Sequence, residues 1–149
     1  MATPSALHTL IDLANKETDE AAKRLGAAQR VCEEADQKLD LLLQYRNDYA
    51  LRCQSNMASG ISATHFHNFQ VFMQKLDHAI AGQQKVVGDA RHRAEQARIA
   101  WLACEQKKMS FVTLADRADK ENARRELWRD QKQNDEHATR RALHKPNHS

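Results

Sequence analysis

At 149 residues the chain has room for one ordinary domain, yet four glycines, two prolines, 5% aromatics and 29% charged side chains describe long helices or a coiled coil rather than a globular core. A formal charge of +3 with no clustered basic patch argues against nucleic acid as a partner. No basic segment leads into an apolar run as a secretory signal would, and the run around Leu41, Leu42 and Leu43 falls far short of the ~20 residues of a spanning helix. The expectation is a soluble intracellular protein with no direct membrane insertion, and an odd number of cysteines, three, fits a reducing compartment.

The first helix is predicted over about residues 4–54, beginning at Pro4, where a missing N–H costs nothing. From Leu7 a four-three spacing runs through Ile11, Ala14, Thr18, Ala21, Leu25, Ala28, Cys32, Ala35, Leu39, Leu42, Arg46, Tyr49 and Cys53. With Leu7 at position d of a heptad, this is about seven heptads, which implies a left-handed supercoil. At ~1.5 Å per residue the arm is ~70 Å long. Alanines at d (Ala14, Ala21, Ala28, Ala35) allow close helix approach but bury little area, so the seam is thin. Leu43, at e, and Tyr45, at g, lie outside the stripe. They either widen the seam or form a partner surface near the turn.

The turn is predicted at about residues 55–64, the one stretch where Ser55, Asn56, Ser59, Gly60, Ser62 and Thr64 outweigh helix formers. The same spacing then resumes in a second helix, about residues 65–141: Phe66, Phe69, Met73, Leu76, Ile80, Gln83, Val87, Ala90, Ala94, Ala97, Trp101, Cys104, Lys108 and Phe111, fading after Ala115 and Ala118. If the chain reverses near Gly60, opposed residues have numbers adding to roughly 120 in an antiparallel pair. Leu7 then faces the region of Phe111, and the apolar pattern stops where its partner helix runs out. By the same rule no cysteine faces another. Gly82 and Gly88 inside the second helix imply either a gentle bend or close packing. Beyond about residue 116 the helix is a mixed-charge overhang whose large apolar groups are Leu127 and Trp128, with residues 142–149 expected as a disordered tail ahead of and beyond Pro146.

Little here carries chemistry. His65 and His67 stand at i, i+2, the wrong spacing for a metal pair on a helix, and no glycine-rich phosphate loop, nucleophile elbow or CxxC is present. No catalytic, cofactor-binding or metal-binding residue is assigned, and the chain reads as a non-enzyme. One surface exceeds what the seam needs: Phe72 and Ala79 at g, beside Leu76 and Gln83, form a second stripe suited to docking a partner or a further helix of an oligomer. In the overhang, Arg124, Arg125, Arg129 and Lys132 alternate with Glu121, Glu126, Asp130 and Glu136, so pairing along one solvated face is the default.

Four local strings resemble the FliJ family of the bacterial flagellar type III export apparatus. They are Tyr45-Arg46-Asn47-Asp48-Tyr49, Gly60-Ile61, Asn68-Phe69-Gln70 with Phe72, Leu76, Ala79, Ile80 and Gln83, and Asp130-Gln131-Lys132 with Asp135-Glu136. Asp77, where the family more often has glutamate, and Arg46, at a seam position, are departures. The resemblance implies an all-α antiparallel coiled-coil hairpin with a longer second helix, similar to the central stalk, the γ subunit, of rotary ATPases. It implies binding to the hexameric export ATPase FliI through Leu7, Leu10, Ile11 and Leu13 with Leu127, Trp128, Asp130, Gln131, Lys132, Asp135 and Glu136. It also implies contact with the export gate protein FlhA and with flagellar export chaperones through Leu42, Tyr45, Tyr49, Phe72, Leu76, Ala79 and Gln83. The implied location is cytoplasmic, peripheral to the inner membrane. Two other readings remain at this stage: a structural coiled-coil spacer that homo-oligomerises, and the equivalent stalk of a virulence type III secretion system.

Overall fold

The computed structural model describes residues 4–144, which form two helices, α1 (Pro4–Ser59) and α2 (Ala63–His144), of 56 and 82 residues. They are joined by Gly60, Ile61 and Ser62 alone. The reversal is therefore much shorter than the expected 55–64. The hydroxyls thought to break the helix are accommodated inside it: Ser59 Oγ donates to the Ser55 carbonyl at 3.1 Å, one turn back. Gly60 ends α1 with φ 84° and donates its N–H to the Met57 carbonyl at 3.2 Å. Ser62 opens α2 as its N-cap. Its Oγ accepts the His65 amide at 3.2 Å and meets His65 Nδ1 at 2.7 Å, while its carbonyl accepts the Phe66 amide at 3.1 Å. At the far end α2 runs to His144, past the expected 141, with Arg141 and His144 in its last turn where the helix dipole favours positive charge. The remainder of the expected tail, residues 145–149, lies outside the described residues.

The described residues fall into two units. The first in size is Thr18–Cys104, an antiparallel hairpin around the turn. Its seam buries Thr18, Ala21, Ala35 and Cys53 from α1 against Leu76, Ile80, Val87 and Ala90 from α2. Ala35, Val87 and Ala90 form the tightest cluster, with Cys32 and Leu39 packed on it. Small residues at d bring the helices close, and the cost is shallow burial: no large side chain is fully enclosed. Cross-helix polar ties follow the antiparallel pairing rule. Gln83 Nε2 donates to the Ala35 carbonyl at 3.0 Å, Arg91 meets Asp36 at 3.2 Å, and Arg46 Nε meets Asp77 at 3.0 Å. The last pair joins the two sequence departures noted above. Arg46, exposed at its seam position, sets its charged head on an acid of the facing helix. Gly82 and Gly88 are exposed with open space where a Cβ would stand, so neither serves close packing.

The second unit comprises Met1–Glu17 and Glu105–Ser149, described over residues 4–17 and 105–144. Leu7 and Ala14 are buried, Ile11, Lys108, Phe111, Ala115 and Ala118 are half-buried, and Lys107 reaches Glu17 at 3.4 Å. Leu7 and His8 share a narrow cleft with Ala115, Ala118 and Asp119. From residue 119 to 144 every residue is exposed, and the helix is held by its own ladder and by pairs such as Arg125–Glu121 at 3.2 Å.

Candidate docking surfaces

The two flanks of the Thr18–Cys104 seam differ in chemistry. The e flank carries the cross-helix ion pairs, with Asp36, Asp77 and Arg91 engaged as described. The g flank carries rings. Tyr45 and Phe72 meet edge to face at 6.1 Å between centroids, Tyr49 lies 4.5 Å from Phe72 and stacks on Phe69 at 5.1 Å, and Tyr45 stacks along α1 on Tyr49 at 6.4 Å. Residues at i and i+4 share a helix face, which is why Tyr45 and Tyr49 meet, and the antiparallel register brings Phe69 and Phe72 opposite. Such contacts add ~0.5–1.5 kcal/mol each beyond area burial. They fix the rings rigidly while leaving Tyr45 50% exposed.

Two hollows adjoin this cluster. Toward the middle of the unit, Lys38, Leu41, Leu42, Tyr45 and Gln83 line an open groove of about 470 Å³. Toward the turn, Tyr49, Arg52, Cys53, Asn56, Ile61, His65 and Phe69 line a smaller cleft of about 200 Å³. Of the stripe expected from sequence, Leu42, Tyr45, Tyr49, Phe72 and Gln83 come together here, and Ala79 is exposed on α2. Leu76 needs correction. At 7% exposure it belongs to the seam and supports the surface from beneath, because position d points at α1. Gln83 is partly committed as well, through its bond to Ala35.

In the other unit, Leu7 is likewise buried rather than available, while Leu10 and Leu13 are exposed and Ile11 is half-buried. Leu127 and Trp128 stand 69% and 62% exposed, and Lys132 Nζ sits 5.3 Å over the Trp128 ring. Trp128, Lys132 and Asp135 share one helix face, and Asp130, Gln131 and Glu136 are exposed beside it. Among the described residues no buried side-chain N or O lacks a partner, and no group of acids, histidines and cysteines is disposed to hold a metal. The three thiols are free, Cys53 being buried. No described helix is long and apolar enough to cross a membrane.

The family model for "Flagellar FliJ protein" matches residues 4–147. This chain belongs to the FliJ family. It is 36% identical over 146 residues to the flagellar FliJ protein of Salmonella typhi, covering 98% of this chain and 99% of that protein. It is 35% identical over 146 residues, at the same coverage, to the flagellar FliJ protein of Escherichia coli (strain K12). In this FliJ-family chain the candidate surface also contains residues that heptad reasoning passes over. Leu41, at c, is 64% exposed and lines the groove. Lys38 and Arg52 are isolated cations in sequence and become part of a surface only beside the rings. The adjacent leucines at 41 and 42 were the available signal, since only one of two neighbours on a helix can face the seam.

Proposed function

We propose that this flagellar export component acts as a non-enzymatic stalk: it binds and stimulates the hexameric export ATPase FliI, couples it to the export gate protein FlhA, and helps cycle export chaperones. The observation that carries the reading is the helix over residues 119–144. Every side chain of this stretch is exposed, so it gains little from tertiary packing, the main source of helix stability in proteins. Exposed Leu127 and Trp128, with Lys132, Asp135 and their neighbours, supply anchor groups and charges suited to a protein partner. The ring-lined g flank of the hairpin is a second, chemically different surface, assigned to the gate and chaperones. Two dissimilar surfaces on one helical scaffold suit a part that transmits position or torque between assemblies. The location that follows is the cytoplasmic face of the inner membrane, reached through the apparatus.

Co-sedimentation with FliI tests the assignment of the overhang. The Leu127→Ala/Trp128→Ala chain should lose FliI binding by about tenfold or more while keeping its helicity, since buried aromatic anchors dominate such interfaces. Equal binding by the variant would remove the overhang from the interface.

A further inference from the structure

We propose that the g flank of the hairpin is a receptor for an acidic amphipathic helix. The apolar side chains of that helix lie on Leu41, Tyr45 and Phe72, and its carboxylates meet Lys38 at one end of the surface and Arg52 at the other. The inference rests on reading this flank as the gate- or chaperone-facing surface, and adds the chemistry of what sits there.

Continuity is the first ground. The groove shares Tyr45 with the ring cluster, and the cluster shares Tyr49 and Phe69 with the cleft, so the three form one uninterrupted surface. Charge is the second. The residues lining the groove and the cleft include no carboxylate, the nearest in sequence to the rings being exposed Asp48. Elsewhere in the unit four arginines find acids, Arg24 meeting Glu20, Arg46 meeting Asp77, Arg91 meeting Asp36 and Arg98 meeting Glu95, whereas Arg30 and Arg93 have no ion pair. Lys38 and Arg52, each lining one of the two hollows, have no ion-pair partner, and Arg52 has Asn56 and His65 beside it in the cleft as further polar groups. An apolar strip with an unpaired cation at each end is complementary to an apolar segment carrying acids.

The spacing sets the occupant's form. Lys38 and Arg52 stand two heptads apart on α1, ~21 Å at ~1.5 Å per residue. A partner helix of at least about four turns spans that distance, with acids some fourteen residues apart and apolar groups at i, i+3, i+4 and i+7 between them. A third helix laid along the g flank would also cover the exposed edges of the rings.

The test titrates the full chain against the cytoplasmic part of FlhA and against export chaperones, at about 50 and 300 mM salt, where screening differs strongly. Three chains are compared: wild type, Lys38→Glu/Arg52→Glu, and Tyr45→Ala, each checked for helicity by circular dichroism. The double charge reversal should weaken binding at low salt by about tenfold or more and flatten its salt dependence, whereas Tyr45→Ala should weaken binding equally at both salts. A charge-reversed chain that binds as wild type while Tyr45→Ala does not would overturn the acidic occupant and leave the surface assignment standing. If neither variant changes binding, or the wild type binds none of these proteins, the surface assignment itself fails and the inference with it. A dimer in sedimentation equilibrium that Tyr45→Ala abolishes would give the flank to a second copy of the chain. Capture of anionic vesicles, lost on charge reversal and without protein binding, would give it to a lipid surface.

Discussion

Gly60 is where the direction of the chain reverses, and its φ of 84° is a conformation that side chains resist. Gly60→Ala should lower stability by about 1–2 kcal/mol, read as a lower urea midpoint at unchanged slope, even though nothing crowds the added methyl. Ser62→Ala removes the hydroxyl that accepts the His65 amide and should cost about 1 kcal/mol. Gly82 and Gly88 carry the opposite sign. Both sit in helical backbone facing open space, so each change to Ala should raise stability by about 0.5–1 kcal/mol, and a loss at either would show a packing role the geometry lacks. The exposed Glu95–Arg98 pair gives a pH dependence. Its hydrogen bond to Arg98, at 2.7 Å for the closer contact, holds the Glu95 carboxyl below its ordinary value. A lowered folded-state pKa contributes stability that is present above the unfolded value and lost as pH falls through the folded one. The stability curves of wild type and Glu95→Gln should therefore differ slightly near neutral pH, converge in acid, and converge at all pH in high salt.

At the scale of the helices, burial is concentrated between Leu76 and Ala90 of α2 and is absent beyond residue 118. Native-state hydrogen exchange should follow: slowest amides over residues 76–90, fast exchange over 119–144 in the free chain, and marked slowing of that segment when FliI is bound. Slow exchange over 119–144 without a partner would contradict the reading of an uncovered helix. Both helices and their pairing were legible in the sequence because the four-three spacing repeats on each side of Gly60 and fades where the partner ends. The width of the turn was not, because Ser and Thr hydroxyls that oppose a helix in isolation can donate to the carbonyl one turn back, as Ser59 does. The ring-lined flank was legible through Tyr45 and Phe72, whose spacing leaves the seam, with Tyr49 beside them in the seam row. Leu76 was misread as surface because one residue serves both rows, and position d decides in favour of the seam. The cleft near Arg52 has no linear signal at all, since it exists only where Ile61, His65 and Phe69 come back against Tyr49.

At the scale of the whole chain, each of the two units leaves a different chemistry uncovered: rings, leucines and unpaired cations on one, and a mixed-charge helix with an exposed tryptophan on the other. That division of labour supports a coupler, and its central claim is that the chain changes the work of a partner ATPase without chemistry of its own. The most direct measurement is ATP hydrolysis by FliI with and without this protein, read beside the protein's mass in solution. Stimulation of hydrolysis by a monomeric chain, abolished in the Leu127→Ala/Trp128→Ala variant but retained in Tyr45→Ala, is the predicted result. An unchanged rate together with a stable homo-oligomer would contradict the account and leave a structural spacer in its place.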